Sequence, residues 1–446
     1  MQNEVTTDSE AGMKKASSSC SDKATNNGAT TRGKTSRQTI SRRTFLGAAA
    51  VMGVQVALFG LAGCAPQESG DAAEAYKPGT YTGKADGKFN TIEVEADFSE
   101  TAIKDIRIIN HEETRRIAAP AIEMIPQRII EHQGLGVDTV TGATLTSLGI
   151  INATTDCVKQ AGGSVSALQK RGSVEPTGEQ IELEADAVVV GAGASGMGAA
   201  LASAQSGARV IVLEKNSNIG GNCLVSGGYL EYLSAPDAAR PEMTEELHRY
   251  VEEVLGSEIA AASDPAIVEK VRQQYEEYKA TGSSKLFDSE LFYSLDIAVT
   301  SGEGLPVEVY MPLAHNLSVL NDWMTELNFS WATPLHPITG YAYPRWSNPT
   351  EGICGEGYFD FFDTVLEGEG LGVEVMLATA AQDLITEGGS VVGVTACAED
   401  GTIYTIRTPK VILASGGFSG NPDLLREYNT LWDYPKGNLP TTNVNG

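Results

Sequence analysis

Two short runs in the chain carry residue types whose spacing can do chemistry. The first is Gly191-Ala192-Gly193-Ala194-Ser195-Gly196, placed directly after the apolar run Ala185-Asp186-Ala187-Val188-Val189-Val190. A stretch with small residues at Ala199, Ala200 and Ala204 follows, then Ser206-Gly207, then a β-branched run over 208–213 that ends in Glu214. Strand, glycine-rich turn, helix, strand and acid in that order form a dinucleotide-binding fingerprint. Gly191 permits the tight turn, Gly193 lets a pyrophosphate approach bare backbone, and Gly196 lets the helix pack on the strand. Ala194 and Ser195 open that helix, and Glu214 would accept hydrogen bonds from ribose hydroxyls. A purely structural glycine turn is the competing reading. The second run is Asp138-Thr139-Val140-Thr141-Gly142-Ala143-Thr144. Read from its residues alone, it is a glycine turn with a threonine starting a helix.

The elements that must position these runs follow from periodicity. Alternation and β-branched enrichment predict strands at 79–87, 91–98 and 102–109. Ile122, Ile125, Ile129 and Ile130 fall at helical spacing and predict a helix over 118–132 despite Pro126. A second helix is predicted over 145–160, with Leu148, Ile151 and Val158 on its apolar side. Residues 163–180 are rich in Gly, Ser and charge and read as a linker. Farther on, helices are predicted at 242–255, at 266–278 after Asp264-Pro265, and at 317–327, with strands at 373–376 and 391–396. Trp331, His336, Tyr341, Tyr343, Arg345 and Trp346 form an aromatic group that either roofs a planar substrate or packs under a cap. Arg345 and His336 are its ionisable members and the two weak catalytic candidates.

Composition narrows the function classes. A chain of 446 residues with a formal net charge of −26 repels phosphate backbones, which argues against nucleic-acid partners. Its six cysteines are scattered without CxxC or CxxCH, so no zinc ribbon, iron–sulfur ligand set or c-type haem site is expected. Near the N-terminus, Ser41-Arg42-Arg43-Thr44-Phe45-Leu46 precedes an uncharged stretch that closes on Leu61-Ala62-Gly63-Cys64. The paired arginines resemble a twin-arginine (Tat) export signal, and the closing tetrad resembles a bacterial lipobox that would make Cys64 the lipidated first residue. The resemblance implies export of the folded protein by the Tat translocase and residence on the outer face of the cytoplasmic membrane.

The second run resembles the FMN-binding domain of sodium-pumping quinone reductases and exported flavoprotein reductases. Their Asp-x-x-Ser/Thr-Gly-Ala-Thr motif is matched by Asp138, Thr141, Gly142, Ala143 and Thr144. The resemblance implies that a flavin transferase joins FMN to Thr144 through a phosphoester, with Asp138 part of what that enzyme reads.

The first run is continued by Glu214-Lys215, Gly220-Gly221-Asn222-Cys223 and Ser226-Gly227-Gly228, and later by Lys410-Val411-Ile412-Leu413-Ala414-Ser415-Gly416-Gly417-Phe418. Together these resemble the fumarate reductase/succinate dehydrogenase flavoprotein family, urocanate and fumarate reductases included. The resemblance implies non-covalent FAD held by Lys215, Gly221, Asn222, Cys223, Ser226, Gly227, Gly228, Ser415, Gly416 and Gly417, with Ala381 where the backbone meets adenine. Cys223 replaces the family's usual hydroxyl residue.

The expected fold class is α/β: a small α+β FMN-binding domain, then a Rossmann-like FAD-binding domain interrupted by an α+β cap. The expected boundaries are a signal at 1–64, a linker at 65–75, the FMN-binding domain at 76–162 and a linker at 163–183. The FAD-binding domain takes 184–234 and 371–446, and the cap takes 235–370. The family's later histidines and arginines, its proton donor among them, would follow the last residues, and Val444 stands where the first such His would be. A fragment of a longer chain is therefore expected, with an interrupted gene as the other explanation. The implied function is an exported reductase: electrons enter at FMN, pass to FAD and leave as hydride to an activated C=C bond of a small organic acceptor. No second dinucleotide fingerprint is present, which points to a membrane quinol-linked or extracytoplasmic donor rather than NADH. The alternatives are a dehydrogenase of the ketosteroid type, a non-catalytic diflavin electron carrier, and a lipid-anchored binding module without flavin.

Overall fold

The computed structural model describes residues 75–302, 305–419 and 421–428. The export and lipobox motifs, Cys64 included, and Val444 lie outside the described residues. Strands β1 (Gly79–Asp86), β2 (Thr91–Phe98) and β3 (Ile103–Asn110) form an antiparallel sheet in that order. Ile92, Val94, Ala96 and Phe98 alternate with polar residues along β2 and are buried, so one face must be covered. Helices α1 (Arg115–His132) and α2 (Thr144–Ala161) cover it with Ala121, Ile125, Ile129, Ile150, Cys157 and Val158. Leu148 does not join the apolar face expected of it: it is 43% exposed, because the buried side of α2 runs through Ile150, Ile151 and Val158.

The segment expected to be a linker at 163–183 is partly ordered into the domains it joins. Residues Val165–Leu168 form a helical turn whose Leu168 is buried in the first core. Its far end belongs to β4 (Gln180–Glu184), followed by β5 (Ala187–Val190), helix α3 (Ala194–Gln205) and β6 (Val210–Leu213). The chain then enters the cap. Strand β7 (Leu230–Glu231) leads to helices α4 (Glu245–Gly256), α5 (Pro265–Thr281), α6 (Glu290–Ser301) and α7 (Met311–Glu326). Asp264 caps α5 by accepting from the Ala266 and Ile267 N–H groups, just ahead of Pro265. Strands β8 (His336–Ile338) and β9 (Tyr341–Ser347) and helix α8 (Glu356–Glu369) complete the cap.

The return is strands β10 (Val373–Met376), β11 (Thr379–Glu387), β12 (Ser390–Ala398), β13 (Ile403–Arg407) and β14 (Val411–Leu413), followed by a short helix, α9 (Pro422–Tyr428). Strands β10-β6-β5-β14 form a parallel sheet, and β11-β12-β13-β4 form a second sheet beside it. Alternate residues of β5 and β6 serve two cores. Val189 and Val212 pack under α3 with Met197 and Leu201, while Val188 and Ile211 pack on Val394 and Ile406 of the second sheet. The order reverses at β5: β6 follows immediately on one side, and β14 arrives on the other only after the cap. The crevice at the end of β5 is therefore the topological switch point, where such folds bind ligands.

Candidate functional site

The glycine-rich loop after β5 meets the 414–416 loop after β14 at this switch point. Gly191 has φ of 103°, and a Cβ there would lie 2.5 Å from the Ala414 carbonyl oxygen. A Cβ on Gly196 would lie 1.8 Å from the Gly191 oxygen, so both positions exclude any side chain by close backbone packing. Gly193 is different. Its φ is −75°, and an added Cβ would find only the Gly220 oxygen, at 3.9 Å. Beyond it lies a cavity of about 520 Å³. Helix α3 starts at its wall with no side chain capping its first N–H groups and no acid in its first turn. Bare backbone, open space and an uncapped helix start make an anion cradle of the kind a pyrophosphate fills.

The same cavity gathers Gly191, Gly193, Ala194, Ser195, Glu214 and Lys215, from the first strand-helix-strand unit. Gly221, Asn222 and Cys223 line it from the next loop, and Ala381, Ser415 and Gly416 from the return. Gly196 sits beneath it as a packing residue, and Ser226, Gly227, Gly228 and Gly417 lie outside its lining. Ser226 instead donates its hydroxyl to the Cys223 carbonyl at 2.8 Å, and the Tyr358 hydroxyl donates to the Gly228 carbonyl at 2.9 Å. Buried Glu214 accepts from the Ala192 N–H at 2.8 Å and the Asn216 N–H at 2.9 Å, which orients it and leaves lone pairs for ligand hydroxyls. Burial pushes the Cys223 thiol up, so it lines the cavity as a neutral group. Asn216 and Ala414 also line the cavity. Nothing in their type or spacing marks them; only the meeting of the three loops does. These features fit FAD.

Thr144 is the first residue of α2 and is exposed. Its neighbour Ala143 offers no side-chain cap, and the first turn holds no acid. Gly142 takes φ of 93° to make the turn, and exposed Asp138 lends its carbonyl to Arg128 at 2.8 Å. Leu145 and Leu148 are 50% and 43% exposed, and helical spacing sets Leu148 on the same side as Thr144. An accessible hydroxyl, unpaired helical N–H groups and an apolar surface alongside fit a phosphate-linked planar ring. FMN on Thr144 would use all three.

The aromatic group, read either as a roof or as packing under a cap, is split by the fold: Trp331 joins one core, while Tyr341, Tyr343 and Trp346 line one cavity with Arg345. Trp331 stacks on Tyr232 with centroids 4.4 Å apart, and its indole N–H donates to Thr325 at 3.0 Å. Tyr343 is buried among Tyr250 and Phe292 in the helical core of the cap. Tyr341 contacts Trp346 at 5.3 Å, and His336 meets Tyr229 edge-on at 5.7 Å, next to Gly228. Arg345 lies two residues from Tyr343 on β9 and is equally buried. Its Nε and Nη2 donate to Asp288 at 2.8 and 3.1 Å, and its Nη1 donates to Asp296. Burial works against its charge, but the two carboxylates more than offset this and raise its pKa. A guanidinium so engaged anchors the cap. With Glu231 and Tyr293 it lines a second cavity, of about 970 Å³.

Residues 186–443 match the FAD binding domain family, so the chain belongs to that family, and residues 87–159 match the FMN-binding domain. The chain is thus a flavoprotein with an FAD-binding and an FMN-binding domain. It is 28% identical to the NADH:acrylate oxidoreductase of Vibrio harveyi over 390 residues, which is 82% of this chain and 38% of that protein. It is 27% identical to the urocanate reductase of Eggerthella lenta over 395 residues, 87% of this chain and 57% of that one. The chain therefore spans less than two thirds of the length of either relative. Among solved structures, the open conformation of a flavocytochrome c3 fumarate reductase matches with a TM-score of 0.37 and 22% identity, over 56% of this chain and 36% of that one.

The cradle predicts a clean separation of binding from folding. Gly193→Val adds a side chain where the ligand-free protein has room and the backbone angle allows it. Titration should show FAD affinity at least about 100-fold weaker, with flavin-free stability changed by no more than about 0.5 kcal/mol. Gly196→Val, which collides with Gly191, should instead lower stability severely.

Proposed function

We propose that the chain is the two-flavin portion of an exported reductase that saturates an activated C=C bond of a small organic acceptor. The observation that supports it most is the pairing, in one chain, of an uncapped cradle at Gly193 with an accessible Thr144 hydroxyl at a second helix start. When bound, the flavins would supply electron entry at FMN and hydride delivery to carbon at FAD. The chain's own residues do the holding: α3 faces the pyrophosphate, Glu214 takes the ribose, and the start of α2 receives the phosphate ester. The cap, stiffened by Arg345 between Asp288 and Asp296, would supply the wall from which an acceptor is sorted.

The names of the relatives support the reaction class, since acrylate and urocanate both carry a double bond conjugated to a carboxylate. The donor is read as a membrane quinol-linked or extracytoplasmic carrier. Maturation is read as needing a flavin transferase and the Tat translocase, with anchoring through Cys64.

The deciding experiment uses the full-length protein produced with the flavin transferase and supplied with reduced viologen. A panel of α,β-unsaturated carboxylates and related enones should include one that oxidises two viologens per double bond saturated. If none does so with both flavins in place, the reductase reading fails.

A further inference from the structure

Helix α1 opens against its own local rules. Its first turn carries Arg115 and Arg116 and no acid, and its cap residue Thr114 makes no side-chain cap. Cations at a helix N-terminus face the positive end of the dipole, so a purely local account leaves this pair unexplained. The partners lie on α8, where Glu356, Asp360 and Asp363 recur at i, i+4 and i+7 and so share one face. Arg115 donates to Glu356 at 2.9 Å and to Asp360 at 3.1 Å. Arg116 donates through Nε to Asp360 at 3.1 Å and through Nη2 to Asp363 at 2.7 Å, and pairs a second time with Asp360.

Neutral contacts reinforce the same seam. The Asn218 amide donates to the Arg116 carbonyl at 3.1 Å, and the Ser217 N–H donates to the Thr141 carbonyl at 3.0 Å. Ile117 packs against the cores of both domains. A Cβ on Gly142 would come within 3.0 Å of Asn216, the same Asn216 that lines the FAD cavity. Yet the seam is not sealed. A crevice of about 520 Å³ runs along it, between Pro120 and Met124 on one side and Asn218 and Leu366 on the other. Polar, incompletely packed contacts between domains are the kind that open.

We propose that Arg115 and Arg116 and the acidic face of α8 form a releasable electrostatic latch that docks the FMN-binding domain on the cap where it adjoins the FAD-binding domain, with the loop leading to Thr144 set on the rim of the FAD cavity. The consequence for electron transfer rests on the flavin reading above; the docking itself does not. The latch makes one chain self-sufficient for passing electrons between its two sites, and it makes that passage sensitive to ionic strength.

The test uses the full-length protein with two readouts. Small-angle scattering, with or without flavins, measures docking; stopped-flow absorbance measures how fast FAD is reduced after FMN. Arg115→Glu with Arg116→Glu should enlarge the particle and slow the transfer at least tenfold. Adding Glu356→Arg and Asp360→Arg to that background should restore both to near the wild-type values. Wild-type protein needs no substitution to respond: raising salt from about 0.1 to about 1 M, which cuts the Debye length from about 10 to about 3 Å, should slow transfer at least threefold. A charge-reversed protein as compact and as fast as the wild type overturns the latch, and so does wild-type transfer indifferent to salt. Opening on charge reversal, in a wild type that shows no transfer at any salt, supports the latch and counts against the flavin reading instead.

Discussion

Thr144→Val should yield a protein with no flavin that survives denaturation and with its FAD content intact. Valine matches threonine in shape and in β-branching, so α2 keeps its start and the change costs no more than about 0.5 kcal/mol at this exposed position. What disappears is the hydroxyl assigned to carry the ester. Nearby hydroxyls do not substitute: Thr146 is buried and donates to Glu113, and Ser147 is buried and donates to the Ala143 carbonyl at 2.9 Å. Co-produced with the flavin transferase, the variant should show no in-gel flavin fluorescence, and its 144-containing peptide should have its unmodified mass. Acceptor reduction fed through FMN should drop at least about 100-fold, equivalent to roughly 3 kcal/mol. A flavin-bearing peptide from the variant would sink the assignment of Thr144.

Arg345→Met should be the most destabilising single change in the cap. It leaves Asp288 and Asp296 buried without their cation, and breaking a buried pair in this way costs about 3–5 kcal/mol. Burial already pushes the Asp288 carboxyl up, with Arg345 opposing, so removing the guanidinium favours a proton on Asp288. Lysine should not rescue, because two donors of Arg345 meet Asp288 in parallel and a third reaches Asp296. Adding Asp288→Asn and Asp296→Asn to the methionine variant should recover most of the loss, since the uncompensated charges are then gone. The measurement is urea unfolding followed by tryptophan fluorescence, with Trp331 and Trp346 in the cap as reporters. A methionine variant as stable as the wild type but inactive would mean that Arg345 touches substrate instead.

Only part of this was legible in the chain before it was folded. Alternation along residues 91–98 and the apolar spacing of Ile125 and Ile129 determined the first domain's sheet and covering helix, because each residue's burial there depends on its own element's period. The cradle at Gly193 and the acid at Glu214 were equally local, since a strand-turn-helix unit carries its ligand geometry within a short stretch. Local pattern gave Thr144 only as the start of a helix after a glycine turn; its reading as the attachment residue came from the family resemblance.

Tertiary structure decided the rest. Arg345 and His336 drew attention by type, but whether an arginine meets substrate or carboxylate depends on Asp288 and Asp296, which lie 57 and 49 positions away. The aromatic residues from Trp331 to Trp346 looked like one group because they are close in sequence. Strand and loop geometry sent Trp331 and Tyr343 to separate cores and set Tyr341, Tyr343 and Trp346 around one cavity of the cap. Arg115 finds Glu356 across 241 positions, a pairing that no periodicity records. Periodicity tells a residue which way to face; only the packing of one element on another tells it what it will meet.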